Sequence, residues 1–273
     1  MDIPKNNKQL VPLTSEEVYH SLDNRYLTNS RMGDWLKCKN YFKERHITGE
    51  RPNGPATDAL KEGSALDTYI FHGEDVFNDK FRAVKTRNIK NPPISYTELT
   101  QLQYDNCLLR ANILVKQQAI IDMKGHTTQE IITLDMDLGN HFCGVCAMPD
   151  WWKIEGDTCI ISDLKTSMEM NEAKYHWHCV DYKYYRQVAL MRMIIEVNHP
   201  EIKNFVYRHV GIWKDKEGIG IPFAFYLSEE QVNAYYDDIK KNILPAIKAE
   251  TEFLPKSVDW KSAPTIGELK DEY

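Results

Sequence analysis

Two aspartates and a lysine stand among apolar residues in one short stretch of the sequence. The stretch is GVCAMPDWWKIEGDTCIISDLKTS, and the three residues are Asp150, Asp163 and Lys165. Its apolar runs predict two strands, and Gly156-Asp157 predicts the tight turn that joins them. With that turn, Asp150 lies opposite Asp163 with Cβ atoms about 5 Å apart, and Lys165 lies on the same face.

Two facing carboxylates indicate a site for a cation. They repel each other and raise each other's pKa, and a divalent cation between them removes that cost. Mg²⁺ is usually held by one or two carboxylates, water and a substrate phosphate. Lys165 could hold a phosphate oxygen or help to deprotonate water, so the three residues indicate metal-assisted hydrolysis of a phosphodiester. The structural alternative is that the aspartates flank a turn and that Asp163 pairs with Lys165.

The elements that must position these residues form a mixed pattern of helices and strands. Helices are predicted over residues 29–45, with Ser30 as the N-cap, and over 58–72, 97–123, 171–197 and 228–249. Strands are predicted over 129–137, 141–153, 158–166, 204–213 and 219–227, with a turn at Gly139-Asn140 and a capping box from Ser228 to Gln231. This order predicts the α/β class, with a central mixed sheet that contains an antiparallel meander and is flanked by helices.

Size and charge set further bounds. The chain has 273 residues and a formal net charge of −6, which argues against a protein coated in positive charge but leaves room for a local basic groove. Residues 1–28 are predicted to form a partly disordered leader, and residues 29–273 a single domain. We expect a cytoplasmic protein without a membrane span, because no run of about 18 apolar residues and no apolar signal core is present.

The arrangement of Asp150, Asp163 and Lys165 resembles the signature of the PD-(D/E)XK nuclease superfamily. The closest likeness is to the RecE (exonuclease VIII) and RecB-nuclease type found in phage and prophage exonucleases. Further segments resemble motifs of this group in the same order: residues 30–42 its N-terminal helix, residues 63–67 its GxxxH motif, Gly144 the glycine ahead of Pro149-Asp150, and residues 182–187 the helix with a Gln and aromatic residues. The resemblance extends from about Ser30 to Met191.

The resemblance implies a restriction-endonuclease-like core and a set of site residues. Asp150 and Asp163 would bind the metal together with the backbone carbonyl of Leu164. Lys165 would position or activate the attacking water, and Gln187 would orient the site or contact the DNA backbone. Further DNA contacts are expected from the same segment: Tyr182, Lys183, Tyr185 and Arg186.

Three features depart from the family's pattern. Asp67 stands where the RecB type usually has His, and because Asp also ligates metals we assign Asp67 as a further metal ligand. Met191 stands where a Tyr often follows the Gln. No cysteine follows Cys179, so we do not expect the iron–sulfur cluster of some relatives, and Cys38 is expected to pack between helices.

Other candidate residues have plainer interpretations. Glu130 could add a carboxylate to the metal site, but with a Gly139-Asn140 turn it faces Pro149 and points away from the aspartates. His176 and His178 lie about 200° apart on a helix and are not expected to share a ligand. A basic run could follow a DNA backbone, although such runs are more often solvated faces; it consists of Lys80, Arg82, Lys85, Arg87 and Lys90.

The sequence therefore predicts a deoxyribonuclease that depends on Mg²⁺, with Mn²⁺ as a substitute. The resemblance implies a 5′-to-3′ exonuclease that acts on duplex DNA ends in phage-type recombination and leaves 3′ single-stranded tails. It also implies a single-strand-annealing partner and a homo-oligomeric ring. Two alternatives remain open: an endonuclease or repair-type nuclease of the same fold, and a catalytically silent nucleic-acid-binding protein.

Overall fold

The computed structural model describes residues 25–51, 54, 56–84, 96–168, 171–214 and 220–252. The described strands are β1 (Tyr26–Leu27), β2 (Phe81–Val84), β3 (Thr97–Thr100), β4 (Thr127–Thr128), β5 (Ile132–Asp135), β6 (Gly144–Ala147), β7 (Trp151–Glu155), β8 (Thr158–Met168), β9 (Asn204–Lys214) and β10 (Gly220–Tyr226). The described helices are α1 (Asn29–Lys37), α2 (Lys39–His46), α3 (Asp58–Lys80), α4 (Gln101–Leu114), α5 (Gln118–Ile121), α6 (Glu172–Asp181), α7 (Tyr184–Asn198), α8 (Glu229–Asp238) and α9 (Leu244–Glu252). A π-helical segment, Ile239–Ile243, joins α8 to α9.

The protein is a mixed α/β fold in which a five-stranded sheet carries the candidate site residues. The strand order of this sheet is β10-β9-β8-β7-β4. The central strand β8 pairs antiparallel with β7 and parallel with β9, and the chain passes through α6 and α7 between the parallel strands, as a crossover requires. The other described strands form a three-stranded sheet, β1-β6-β5, and a two-stranded sheet, β2-β3.

The β7–β8 hairpin has the register that the sequence predicts. Glu155 pairs with Thr158, so residues 156 and 157 form a two-residue turn. Gly156 has a φ of 61°, a left-handed conformation that glycine adopts without a steric penalty. Because β7 begins at residue 151, the same register continued by one residue sets Asp150 against Asp163.

The three strands predicted between residues 129 and 166 are divided between two sheets. β5 and β6 pair in the register that a Gly139-Asn140 turn implies, with Ile132 opposite Ala147. The predicted strand over residues 141–153 is two strands, and its second half joins the five-stranded sheet as β7. Pro149 lies between β6 and β7 and has no N–H for a ladder hydrogen bond, which favours an interruption there.

The first predicted helix is two short helices. Residues 29–45 were expected to be continuous, but the extended backbone of Cys38 separates α1 from α2. Cys38 is exposed at this break and does not pack between helices as expected. The N-cap of α1 is Thr28 and not Ser30, because the Thr28 hydroxyl accepts a hydrogen bond from the backbone nitrogen of Arg31 at 3.2 Å.

Two further predicted helices are also interrupted. The segment over residues 97–123 begins as strand β3, and Thr100 then caps α4 in a reciprocal capping box with Gln103. The segment over residues 171–197 is divided into α6 and α7, because Lys183 adopts a left-handed conformation with φ 61°. This break turns the chain so that α7 begins beside the five-stranded sheet.

The remaining helix predictions agree more closely with the structure. The helix predicted over residues 58–72 continues to Lys80 after a break at Gly73, whose φ is 87°. Ser228 is the N-cap of α8, since its hydroxyl accepts a hydrogen bond from Gln231 N. Central to the main hydrophobic core is α7, which packs against β5, β6 and α8 and buries most of its side chains, as is typical of an internal helix.

Several predictions concern residues outside the described ranges. They include the leader as far as residue 24 and the basic residues Lys85, Arg87 and Lys90. Of the rest of the basic run, Arg82 lies in β2 with its guanidinium 5.3 Å from the ring centre of Tyr96. In the part of the chain that is described, no helix combines the length and apolarity needed to cross a bilayer.

Candidate active site

Asp150 and Asp163 come together at the start of β7. Oδ2 of Asp150 accepts a hydrogen bond of 2.6 Å from the backbone nitrogen of Leu164, and Asp163, in β8, is 3% exposed. Burial raises the pKa of Asp150 well above its usual range, and the negative charges of Asp163 and Asp67 raise it further, against Lys165 and the Leu164 hydrogen bond. The site therefore concentrates negative charge that a cation would stabilise.

Lys165 faces the same side of the sheet as Asp163 and forms an ion pair with its Oδ2. Its Nζ also donates a hydrogen bond of 3.3 Å to Oε1 of Gln187 and lies 4.4 Å from the ring centre of Tyr184. Burial by itself lowers the pKa of Lys165, but the interactions with Asp163, Tyr184 and Asp150 outweigh it, and the net pKa is raised. Lys165 is therefore a cation at neutral pH.

Gln187 connects the lysine to the aspartate. Its Nε2 donates a hydrogen bond of 3.2 Å to Oδ1 of Asp163 while its Oε1 accepts the hydrogen bond from Lys165. Tyr184 and Gln187 are three residues apart at the start of α7, so they lie on the same face of the helix. The left-handed turn at Lys183 thus places the side chains of Tyr184 and Gln187 next to the sheet.

Gln129 is a site residue that sequence reasoning missed. Its Nε2 donates a hydrogen bond of 2.8 Å to Oδ2 of Asp67 in α3, and its backbone nitrogen donates one of 3.1 Å to the carbonyl oxygen of Asp150. Its φ of 46° is uncommon for a residue other than glycine and is often found at functional sites. No motif marks a lone glutamine before a strand, so the sequence contained no signal for this role. Tyr184 was likewise missed, although it stands next to the predicted Tyr182, Lys183 and Tyr185.

The donor atoms fit a divalent cation that keeps water ligands. Among the described residues, no group of three or more His, Cys, Asp and Glu side chains is arranged to hold a metal ion, so Asp67 does not form a three-carboxylate group with Asp150 and Asp163. Two carboxylates are nevertheless sufficient for Mg²⁺, which completes its shell with water and substrate phosphate. Oδ2 of Asp163 is buried. It forms the ion pair with Lys165 but accepts no hydrogen bond from the described residues.

The four predicted DNA contacts divide into two exposed and two buried residues. Tyr182 is 63% exposed and Lys183 is also exposed, at the junction of α6 and α7. Tyr185 and Arg186 are buried, with 0% and 4% exposure. The prediction that they contact DNA is therefore corrected. Their polar groups are used inside the protein, since the hydroxyl of Tyr185 is hydrogen-bonded to Nδ1 of His176 at 2.8 Å.

Arg186 has a structural role in joining two helices. Its Nε donates a hydrogen bond of 2.8 Å to Oδ1 of Asn29, and its Nη2 donates one of 3.1 Å to the Asn29 carbonyl oxygen. These bonds tie α7 to the start of α1. A guanidinium held in this way does not reach a phosphate outside the protein.

The remaining candidates lie outside the carboxylate site. Oε2 of Glu130 accepts a hydrogen bond of 2.9 Å from Nε1 of Trp152, so this carboxylate is bound to an indole in the structure. His178 contacts aromatic rings, with its ring centre 4.2 Å from that of Tyr182 and 5.7 Å from that of Tyr184. These contacts agree with the plainer interpretations of Glu130 and His178.

A crystal structure of a proposed exonuclease from Eubacterium rectale is similar to this protein. The two align with a TM-score of 0.62 at 15% sequence identity, over 96% of this chain and 100% of the other. At this identity the likeness shows a shared fold. No family model matches the sequence, and no curated protein matches it.

Proposed function

We propose that this protein is a Mg²⁺-dependent deoxyribonuclease that hydrolyses phosphodiester bonds, and that it acts as an exonuclease on duplex ends. The observation that carries the proposal is the placement of the half-buried Asp150 and the buried Asp163 beside the charged Lys165, which Gln187 links to Asp163. Two facing carboxylates and an adjacent cation, with the pKa of Asp150 raised, are costly in a purely structural role. That cost is understandable at a site that binds a metal and a phosphate.

Asp150, Asp163 and the Leu164 carbonyl would hold the ion, and Asp67, which Gln129 holds by a hydrogen bond, would add its negative charge to the site. When bound, a divalent cation supplies Lewis-acid stabilisation of phosphoryl oxygens and makes water more acidic. Asp150 and Asp163 would determine where the positive charge of the cation lies. The Asp150–Leu164 hydrogen bond supports this by holding one carboxylate in a single orientation.

Lys165 would stabilise the negative charge that builds up on the phosphoryl group during hydrolysis. Its raised pKa keeps it protonated, so it acts as a cation and hydrogen-bond donor. Gln187 would hold the ammonium in place, because Lys165 has several rotatable bonds and the amide limits its freedom.

Exonuclease action on DNA ends is supported by the shared fold with the proposed exonuclease from Eubacterium rectale and by the resemblance of the sequence motifs. The 5′-to-3′ direction, the 3′ tails, the annealing partner and the ring assembly rest on that resemblance alone. They stay predictions of the proposal.

The test compares linear and covalently closed duplex DNA, each with Mg²⁺ and with EDTA. We expect the wild-type protein to degrade linear DNA with Mg²⁺ and to leave closed circles intact. Duplexes labelled at either 5′ or 3′ ends then give the direction. Nicking of circles would identify an endonuclease instead. If neither DNA is cut and Asp163→Ala behaves like the wild type, the protein is not a nuclease and the silent nucleic-acid-binding alternative is preferred.

A further inference from the structure

A line of aromatic rings leads from Lys165 to the protein surface. The ring of Tyr184 lies under the Lys165 ammonium at 4.4 Å. The next rings follow at centre-to-centre distances of 5.7 Å from Tyr184 to His178 and 4.2 Å from His178 to Tyr182. The ring centres of Tyr182 and Tyr184 are also 5.9 Å apart, with their planes tilted by 35°. We call Tyr184, His178 and Tyr182 the aromatic ladder.

The outer end of the ladder is open to solvent. Tyr182 is 63% exposed, and burial does not account for the position of so large a ring. The adjacent Lys183 is exposed too, and its left-handed backbone forms the sharp junction between α6 and α7 that places Tyr182 next to Tyr184. An aromatic face and a cation thus lie side by side at the surface, one ring away from the Tyr184–Lys165 contact.

The inner end of the ladder is recessed. Asp163 is 3% exposed, and the side chain of Lys165 is 14% exposed. A phosphate that reaches these groups has to enter the protein surface, and its strand is more easily bent into such a site when its bases are free of their partners. Unpaired bases then expose faces that need a new stacking surface.

We propose that the aromatic ladder is a stacking platform for an unpaired base of the DNA strand being cut, with the base on Tyr182 and a neighbouring phosphate beside Lys183. This inference rests on the proposed nuclease function and adds the class of substrate: a strand whose end is frayed or single-stranded. Base stacking on an aromatic ring is tolerant of sequence, because every base has a π-face. The platform is therefore suited to an enzyme that moves along any sequence.

The experiment uses short duplexes with a two-nucleotide overhang at the 5′ or the 3′ end, with fluorescent 2-aminopurine as the unpaired base. Binding is measured with Ca²⁺ in place of Mg²⁺, by anisotropy for affinity and by 2-aminopurine quenching for stacking. The variants are Tyr182→Ala and Tyr182→Phe. Tyr226→Ala is the matched control, since Tyr226 is the same residue type with the same 63% exposure in another part of the fold.

We expect wild-type protein and Tyr182→Phe to quench the probe on one of the two overhangs. Tyr182→Ala should lose the quenching and bind that DNA about tenfold more weakly, while Tyr226→Ala stays like the wild type. The platform proposal would be overturned if Tyr182→Ala quenched the probe as strongly as the wild type, or if Tyr226→Ala lost as much quenching and affinity as Tyr182→Ala.

Cleavage of the same overhang DNA with Mg²⁺ separates this result from the proposed function. If the wild-type protein cuts the DNA and Tyr182→Ala quenches the probe as the wild type does, the protein is a nuclease but the aromatic ladder is not a stacking platform. A wild-type protein that neither cuts nor binds the DNA overturns both proposals.

Discussion

Oδ2 of Asp150, one residue before the start of β7, accepts a hydrogen bond of 2.6 Å from the backbone nitrogen of Leu164. A side-chain carboxylate thus bonds to the backbone of β8 at the point where the β7–β8 ladder stops, just before the first residue of β7. The bond orients Asp150 towards the residues that follow Asp163 in β8. The geometry of the candidate site is thus a direct extension of the hairpin register.

The first prediction concerns the two aspartates. Asp150→Asn and Asp163→Asn should each lower the rate of DNA cleavage by at least about 10²-fold, because each removes a negative charge that the bound cation and the charged Lys165 require. Single-turnover cleavage of linear DNA measures this. Glu130→Gln is the matched control: it removes a nearby acid whose contact is with Trp152, and it should retain wild-type activity. An equal loss in the control would show that the effect is not specific to the two aspartates.

The second prediction concerns Gln187. Gln187→Ala removes both hydrogen bonds that hold Lys165 relative to Asp163, so we expect kcat to fall about tenfold or more while KM changes little. Gln187→Glu should not restore the rate, since a second carboxylate would face Asp163. Steady-state kinetics at several Mg²⁺ concentrations distinguish a fall in kcat from a change in KM. A change in KM alone would place Gln187 in substrate binding instead.

The third prediction compares the exposed Lys183 with the buried Arg186. Lys183→Asn removes a surface charge and keeps a residue that tolerates positive φ, so the salt dependence of DNA binding should weaken by about one counterion. Arg186→Gln should leave that dependence unchanged and lower the free energy of unfolding by about 2 kcal/mol, because it breaks the two bonds to Asn29. Anisotropy across a salt series and urea unfolding measure the two effects. The interpretation of Arg186 is wrong if its variant is as stable as the wild type.

The fourth prediction concerns pH and the ionic cluster between α3, α4 and β9. Oε2 of Glu62 lies 3.1 Å from Nη1 of Arg110 and 2.5 Å from Nζ of Lys214. Burial raises the pKa of Glu62, but the hydrogen bonds and charges of Lys214 and Arg110 outweigh it, and the net pKa is lowered.

A carboxyl whose pKa is lowered on folding contributes stability above its unfolded value, near pH 4.5, and this contribution is lost as the pH falls through the folded pKa. Glu62→Gln should therefore cost about 2 kcal/mol of unfolding free energy at pH 7, and the difference from the wild type should shrink below about pH 4. Urea unfolding of both proteins from pH 7 to pH 3.5 tests this. A difference that is constant with pH would contradict the assigned ion pairs.

The fifth prediction concerns the close approach of β9 to β8 beside the lysine. A Cβ on Gly211 would lie 1.9 Å from the carbonyl oxygen of Lys165. Gly211→Ala should therefore push the strands apart, lower the free energy of unfolding by about 2 kcal/mol or more, and reduce cleavage. Gly63→Ala is the control, since open space surrounds Gly63 in α3, and alanine there should stabilise by about 0.5–1 kcal/mol. Thermal unfolding compares the two variants.

Local patterns in the sequence predicted much of the fold class and the core of the site. The apolar runs and the Gly156-Asp157 turn were enough to predict the β7–β8 register, because a two-residue turn leaves one pairing. That register places Asp150, Asp163 and Lys165 together without further information. The N-cap at Ser228 was likewise predictable, since a hydroxyl and the next turn of backbone are local partners.

Other features of the site depended on contacts between segments far apart in the chain. Gln129 reaches Asp67 across 62 residues, and Arg186 reaches Asn29 across 157, so neither bond leaves a local pattern. The break at Lys183 decided which side chains of a predicted continuous helix are buried and which remain exposed. The sequence by itself thus determined the placement of the two aspartates and the lysine, because hairpin pairing is set locally. Only the tertiary structure decided which neighbours hold them, because burial and distant hydrogen bonds exist only once the helices pack on the sheet.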